Sequence, residues 1–532
     1  MIDAVMRVGR EQKVDFLVAG GGIAGLRAAI ELAGHGSALV LTKDEESITR
    51  YASGGIFIPD AEAESVGVHV RETLQYGDGL CREDAVQVLA DEGPRQVRQL
   101  CEWGARFEDR SRASPPGAHG AARRSRLLRS AGGSIGTEIL SALATKAKAL
   151  PSLRMKAHAV VLDLLVEDGR VLGATYLDEA NGTLRTVFAN AVLLATGGLG
   201  HAYAETTNPP GACGDGVALA YRAGAVLSDL EFVQFHPTTL CAKAEPRVML
   251  SVALREKGAY LRNVELERFA VRYHEAGELA PPDVISRAIL CEMQKGRSEF
   301  VYLDLTQLSA DYVKKHFPEI CAACMENNID ITSDLVPTRP AAHFAMGGVA
   351  ANLDGATSLR GLYAVGEVAC TGVHGANRLA NNSLLECLVY GVRAARAMEA
   401  GGRAATFPAP PVGRAPAAHR GTLAAPAPLD PAAAKREVRR LMWECAGVMR
   451  HGNTLREAAQ LLDGLALPRP DDAMRPTVEV ESLLQVARLI VHCAEARKES
   501  RGAHYRVDYP LRNDSEPPRH SFVSRNCPVY FK

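Results

Sequence analysis

Near the N-terminus the apolar pattern changes from strand period to helix period across a glycine turn. Val14-Asp15-Phe16-Leu17-Val18-Ala19 is an almost unbroken apolar run of strand length, and Leu26 to Ala33 is Ala- and Leu-rich at helical spacing. Between them lies Gly20-Gly21-Gly22-Ile23-Ala24-Gly25. In a strand–turn–helix the first glycine makes the tight turn, the second admits a pyrophosphate to the backbone, and the third lets helix and strand pack closely. The helix start adds free N–H groups and partial positive charge, so the segment predicts a dinucleotide site. A second strand, Ala38 to Thr42, follows, and an acidic residue would ordinarily close it to hold ribose hydroxyls. Here it ends in Lys43, ahead of Asp44, Glu45 and Glu46. Lys43 suits a phosphate or a ribose oxygen, and equally a solvated charged turn, so this segment alone does not separate NAD from FAD. A third apolar run, Ala191 to Ala195, enters another glycine turn at Thr196-Gly197-Gly198 and predicts a second close approach to a cofactor. From Gly401 to Pro431 the chain is dominated by Ala, Pro and Gly and reads as a linker. Helical spacing resumes over 432–464, as in Val438, Leu441, Met442 and Cys445, and again over 478–497.

Length changes this picture by implying several domains, since 532 residues exceed what one core supports. A formal charge of −1 offers no basic surface for nucleic acid. No apolar run approaches 18 residues, and Met1 to Lys13 is charged without an apolar core. Neither a membrane span nor a secretory signal is therefore expected. Twelve scattered cysteines fit reduced thiols in a cytoplasmic protein. Cys321-x-x-Cys324 has no second pair or nearby histidines, so it reads as two helical thiols, and no metal site is expected.

The middle of the chain carries motifs of a recognisable kind. Thr206-Thr207-Asn208-Pro209, Gly214-Asp215-Gly216 and Glu231-Phe232-Val233-Gln234-Phe235-His236-Pro237-Thr238 come first. Pro340-Ala341-Ala342-His343, Gly347-Gly348, Gly361 to Glu367, His374-Gly375-Ala376-Asn377-Arg378 and Asn382-Ser383-Leu384-Leu385-Glu386 follow. In this order they resemble the succinate dehydrogenase and fumarate reductase flavoprotein family, over about residues 15 to 510. Arg497 to His504 and Asp508-Tyr509-Pro510 are similar to the branch that oxidises L-aspartate to iminosuccinate at the start of NAD biosynthesis.

The resemblance implies an α/β fold: a Rossmann-like FAD-binding domain over 1–236 and 346–400, with an α+β capping domain at 237–345 inserted in it. The linker, 401–431, and a C-terminal helical domain, 432–532, complete the chain. Substrate, a small dicarboxylate or amino acid, would lie between the FAD and capping domains. The resemblance further implies flavin hydride chemistry with O2 or fumarate as acceptor, and a handover of iminosuccinate to quinolinate synthase. Carboxylate-binding positions fall on His236, His343 and Arg378; paired Arg and His donors suit carboxylates because Arg forms two parallel hydrogen bonds. Cofactor positions fall on Gly20, Gly21, Gly22, Ile23, Ala24, Gly25, Lys43, Ile48, Thr49, Ala52, Ser53, Gly54, Gly55, Asp215, Glu367, Ser383 and Leu384. Respiratory members bond the flavin to a His six residues before the paired glycines. Ile48 stands there in this chain, so non-covalent FAD is expected.

On the proton side the chain departs from the family. Members read Ser/Thr-Glu-Ala-x-Arg-Gly-Glu-Gly, with the Glu and Arg in a proton relay; here the segment is Ser251-Val252-Ala253-Leu254-Arg255-Glu256-Lys257-Gly258. Ser251 and Arg255 remain and Val252 replaces the Glu. Pro282 replaces an acid–base Arg, with Arg287 five residues on. His119 falls near a Glu that reads the substrate amine, and Arg129 replaces a His. Losing a positioned proton-transfer group costs about 10²–10⁴-fold, roughly 3 to 5 kcal/mol of barrier. An aspartate oxidase of reduced rate, a paralogue acting on another amino or dicarboxylic acid, and a flavin-binding protein without turnover are the readings these changes leave.

Overall fold

The computed structural model describes residues 7–8, 11–45, 50, 55–59, 63–109, 125–130, 134–242, 245–408, 429–467 and 474–532. The first apolar run forms β1, Gln12–Ala19, and is followed by α1, Ile23–Leu32. Phe16 and Val18 enter one core, while Val14, Leu17 and Ala19 enter the core on the other face. Burial on both faces is why β1 reads as a continuous apolar run instead of an alternating one. The same sheet contains β2, Ala38–Leu41; β3, Leu153–Lys156; β4, Ala159–Glu167; β5, Arg170–Asp178; and β6, Thr183–Leu194. Its order is β3-β2-β1-β6-β5-β4. β3, β2, β1 and β6 pair in parallel, the short strand Leu362–Ala364 runs parallel to the end of β6, and β4 to β6 form an antiparallel meander. Ala19 pairs with Leu41 on one side and Leu194 on the other, and Leu194 pairs with Ala364. Four parallel strands thus stop in register at one edge, where open α/β sheets bind ligands.

Helix α2, Ala63–Tyr76, leads into a tight turn at Gly77, and α3, Asp215–Ala223, covers the second face of the sheet. The chain then leaves the sheet through β7, Val233–Leu240, and forms α4, Val252–Glu256; β8, Tyr260–Arg262; α5, Pro282–Lys295; and β9, Val301–Asp304. It returns through β10, Val336–Ala345. These strands make a four-stranded antiparallel sheet, β7-β10-β9-β8, over a separate core that includes Leu254, Leu261, Ile289 and Leu303. Helix α6, Asn382–Glu399, packs back on α1.

The helical spacing over 432–464 divides into α7, Pro431–Ala446, and α8, Gly452–Gly464. Asp430 caps α7 by accepting the N–H groups of Ala432 and Ala433, and Pro431 occupies the first turn, where its missing N–H is harmless. The break between the helices carries the buried Arg450, whose guanidinium donates to the Ala446 and Gly447 carbonyls that α7 leaves unpaired. Helix α9, Arg475–Ala496, ends the helical part. Residues beyond it are not helical: Ser521–Ser524 and Cys527–Phe531 are strands of a five-stranded sheet that also holds Leu227–Ser228. Among the described residues no helix is long and apolar enough to cross a membrane.

Candidate cofactor and substrate site

The register of the parallel strands brings together most cofactor positions expected above. Gly20 to Gly25 follow β1, Lys43 follows β2, Ala195 to Gly198 follow β6, and Glu367 follows the strand Leu362–Ala364. Gly20 takes φ +114, and a Cβ there would lie 2.1 Å from the Ala195 carbonyl oxygen; a Cβ at Gly25 would lie 2.0 Å from that of Gly20. α1 begins after Gly22, which offers no side-chain cap, and its N-terminal end points its partial positive charge at the strand-end crevice. Thr196 Oγ1 and Asp215 Oδ1 are buried without hydrogen-bond partners. Burial raises the Glu367 carboxyl to about 7, although the Ala345 N–H, at 3.0 Å, and Arg378 oppose the rise. Glycine at 198 gives this carboxyl its space, because a Cβ would sit 2.2 Å from Oε1. A helix N-terminus, two unpartnered polar atoms and a glycine floor fit a dinucleotide across the strand ends.

Lys43 is held by the protein itself: Nζ donates to Asp215 Oδ2 at 2.6 Å and to Glu479 Oε1 of α9 at 3.1 Å. Burial works against its charge, but Asp215, Cys213 and Glu479 together keep the ammonium pKa above its ordinary value. Gly55 donates its N–H to Asn381 Oδ1 at 3.0 Å, which sets the end of the 48–55 loop beside the start of α6, where Ser383 and Leu384 lie. Ile48, Thr49, Ala52, Ser53, Gly54 and His119 fall outside the described residues. Arg129 lies on the strand Ser125–Ser130, paired with Ile56–Pro59 just beyond that loop.

His236 and His343 come from adjacent strands, β7 and β10, and their rings meet at 5.7 Å in an edge-to-face arrangement. Both owe their aim to irregular pairing. Gln234 pairs with Phe344 and Phe235 with Ala342, so His343 is the extra residue of a bulge. A second shift between His236 and Thr239 takes up Pro237, which has no N–H for the ladder. Thr207 Oγ1 sits 2.9 Å from His343 Nδ1, and Asn208 donates to the His343 carbonyl at 2.8 Å. Arg378 donates from Nε to Gln234 Oε1 at 3.2 Å and from Nη1 to Ser383 Oγ at 3.4 Å, with its guanidinium 4.7 Å from the Phe344 ring. Gln234 in turn donates to Asn377 Oδ1 and the Arg378 carbonyl. Burial, then Arg255 and Arg378, lowers His236 to about 3, and burial with Arg378 and His236 puts His343 well below its ordinary value. Both rings are therefore neutral at pH 7. The cations are Arg378 and Arg255, each lowered by burial to about 10. Two buried guanidiniums and two neutral imidazoles are donors of the kind that carboxylates accept from.

Ser251 caps α4 by accepting the Ala253 N–H at 3.2 Å, and Val252 opens that helix. Arg255, 2% exposed, donates from Nη1 to the Glu278 carbonyl at 2.5 Å. Pro282 begins α5, a position whose φ and missing N–H suit proline, so the change is easily accommodated by the fold. Arg287 does not fill the gap: it pairs with Asp283 at 2.9 Å and lies 4.7 Å from the Tyr505 ring. A small cleft between α5 and β7 is lined by Arg287, Asp283, Ser286, Gln234 and Asn377. Cys324 is buried in the capping core and burial raises its thiol to about 12; Cys321 is half-buried beside it.

Gln234, Thr207 and Asn208 belong to quoted motifs, yet their task of fixing Arg378 and His343 shows only in three dimensions. Tyr76, at the end of α2, carried no motif; its phenol has Arg255, Asp283, Glu256 and Glu72 as charged neighbours.

Residues 15–384 match the FAD binding domain family and 435–529 the fumarate reductase flavoprotein C-terminal family. The chain is 41% identical to an L-aspartate oxidase of Streptomyces coelicolor, covering 96% of this chain and 91% of that one. It is 37% identical to the L-aspartate oxidase of Vibrio cholerae, covering 95% and 97%. Among solved structures, a mutant form of E. coli quinol fumarate reductase FrdA superposes with a TM-score of 0.87 at 29% identity, covering 98% of this chain and 97% of that one. Mycobacterium smegmatis Sdh1 superposes with a TM-score of 0.83 at 27% identity, covering 98% and 94%. This chain belongs to the L-aspartate oxidases, within the FAD-dependent flavoproteins of the succinate dehydrogenase and fumarate reductase family.

Proposed function

We propose that this protein oxidises L-aspartate to iminosuccinate in the cytoplasm, using non-covalently held FAD and either O2 or fumarate as final acceptor. The reaction is the first of de novo NAD biosynthesis, and iminosuccinate, which water hydrolyses, would pass to quinolinate synthase. The observation that carries the reading is the convergence of His236, His343 and Arg378 beside the strand-end crevice, in a chain akin to aspartate oxidases over almost its whole length. The cofactor, when bound, accepts a hydride from the substrate carbon. The protein's share is to hold two carboxylates through the guanidiniums and imidazoles, and to exclude water under the capping sheet. Hydride loss from an amine needs the nitrogen lone pair, so the substrate reacts with its amino group neutral. That demand is lighter than drawing a proton from carbon, so Val252 and Pro282 are compatible with an aspartate oxidase of reduced rate. Anaerobic mixing of purified holoenzyme with aspartate should bleach the flavin band near about 450 nm; an unchanged spectrum would count decisively against this function.

Val252 and Pro282 favour a second reading, a paralogue that turns over another amino or dicarboxylic acid, or binds FAD without turnover. A substrate screen in which aspartate is not the best reductant supports it. Gain of aspartate oxidation in Pro282→Arg combined with Val252→Glu, by up to about 10²-fold, would instead mark the pocket as an aspartate site lacking its proton route.

A further inference from the structure

A guanidinium has five N–H donors, and burying one without partners is costly. Arg255 spends Nη1 on the Glu278 carbonyl, while Nε and Nη2 are buried with no hydrogen-bond partner. Those two nitrogens form one planar edge of the guanidinium, the edge that meets both oxygens of a carboxylate.

The nearby acids do not close that edge. Glu278 is occupied, accepting from Arg268 Nε at 2.8 Å, from Arg268 Nη2 at 2.6 Å and from the Leu261 N–H at 3.3 Å. Glu256 is exposed. One turn earlier on α4, where a carboxylate would face the guanidinium, the chain has Val252.

We propose that Arg255 holds a substrate carboxylate, as a second guanidinium opposite Arg378, and does not pass protons. This rests on the reading of the cleft as a dicarboxylate site. His236, whose Nδ1 is also buried and unpartnered, feels both cations, Arg255 more strongly than Arg378. The Tyr76 phenol has the same guanidinium among its charged neighbours; burial and then Glu72, Asp283 and Glu256 raise its pKa, so it stays a neutral O–H donor. Glu278 and Arg268 are positioning residues: they fix the turn whose carbonyl anchors Nη1. With Val252 in place of an acid and Glu256 exposed, the free edge of Arg255 meets no carboxylate from its own helix.

The assignment is tested on holoenzyme by titrating the flavin spectrum with malonate, an unreactive dicarboxylate, and with propionate, a monocarboxylate. Arg255→Lys should weaken malonate by about 10- to 100-fold and propionate far less. Val252→Glu, which supplies a competing carboxylate one turn away, should weaken malonate in the same sense. Glu278→Gln should do so partially, with KM for aspartate rising more than kcat falls. Retained flavin and thermal midpoint certify that each variant is folded. Unchanged malonate affinity in Arg255→Lys and Val252→Glu, with a displaced pH profile of turnover, overturns the assignment in favour of a proton relay. Failure of wild-type holoenzyme to bind malonate at all overturns the dicarboxylate reading itself, an outcome distinct from loss of the Arg255 effect alone.

Discussion

The Glu367 carboxyl is buried at the crevice, and the pKa of about 7 that burial gives it sets a pH window. The ordinary value is 4.5, so the folded apoprotein keeps a proton that the unfolded chain releases. The stabilisation from this raised pKa is complete below 4.5 and is lost as pH rises through about 7. Ribose hydroxyls donate to the ionised carboxylate, so a Glu367 that binds the FAD ribose makes cofactor affinity increase as pH rises through that window. Titration of apoprotein with FAD from pH 5.5 to 8.5 (~1.5 units each side of the midpoint) should show this slope, and Glu367→Gln should flatten it. A wild-type affinity independent of pH would remove Glu367 from the ribose. At this scale the sequence exposed the residues whose chemistry is local to a motif, such as His236, His343 and Arg378. It hid their supports: Gln234 reaches Arg378 from 144 positions away, and Thr207 reaches His343 from 136. The occupation of Lys43 by Asp215 and Glu479 was hidden for the same reason, since Glu479 lies 436 positions further on.

Among the elements, the β1–α1 turn was the most legible, because both its apolar periods and its glycines serve one local geometry. The sequence also suggested how intolerant the turn is. Gly25→Ala sets a methyl 2.0 Å from the Gly20 carbonyl oxygen, in backbone that cannot yield without moving β1 or α1. Purified Gly25→Ala should therefore emerge with little or no flavin, measured as the ratio of visible to ultraviolet absorbance. Wild-type flavin content in this variant would mean that the turn does not approach the cofactor. The bulges in β7 and β10 were illegible, because skipping one residue leaves no trace in a sheet of mostly buried side chains. The division of 432–464 into α7 and α8 was hidden as well. Apolar spacing continues through it, and the break follows from Arg450, which turns inward to the Glu231 carbonyl at 2.6 Å and to His504 Nδ1 at 2.7 Å.

Across the whole molecule, the segment beyond α9 is joined to the FAD-binding part by buried charge. Glu231, 0% exposed, accepts from Arg497 Nε at 2.6 Å and from the Ser521 hydroxyl at 2.7 Å, and Arg497 also donates to Glu499 at 2.9 Å. Removing one partner strands the other in a low dielectric, so Arg497→Met should cost about 3–5 kcal/mol and lower the thermal midpoint by several degrees. A midpoint within a degree of wild type (~1 kcal/mol for a chain of this size) would show the pair to be dispensable. The same segment backs the substrate loop: Ala503 donates to the Ala376 carbonyl at 2.9 Å, two residues before Arg378, and Gly502 donates to Asp78 Oδ2 at 2.9 Å, 424 positions away. These pairings order events on the ribosome. β1 and β2 emerge long before β6 and the strand Leu362–Ala364 exist to cover them, and the loop bearing Arg378 emerges before residues 501–503 can brace it. Non-local pairing of this kind folds slowly and leaves apolar strands exposed meanwhile. The flavin crevice is therefore completed late, once the strand Leu362–Ala364 and residues 501–503 have joined the elements that precede them.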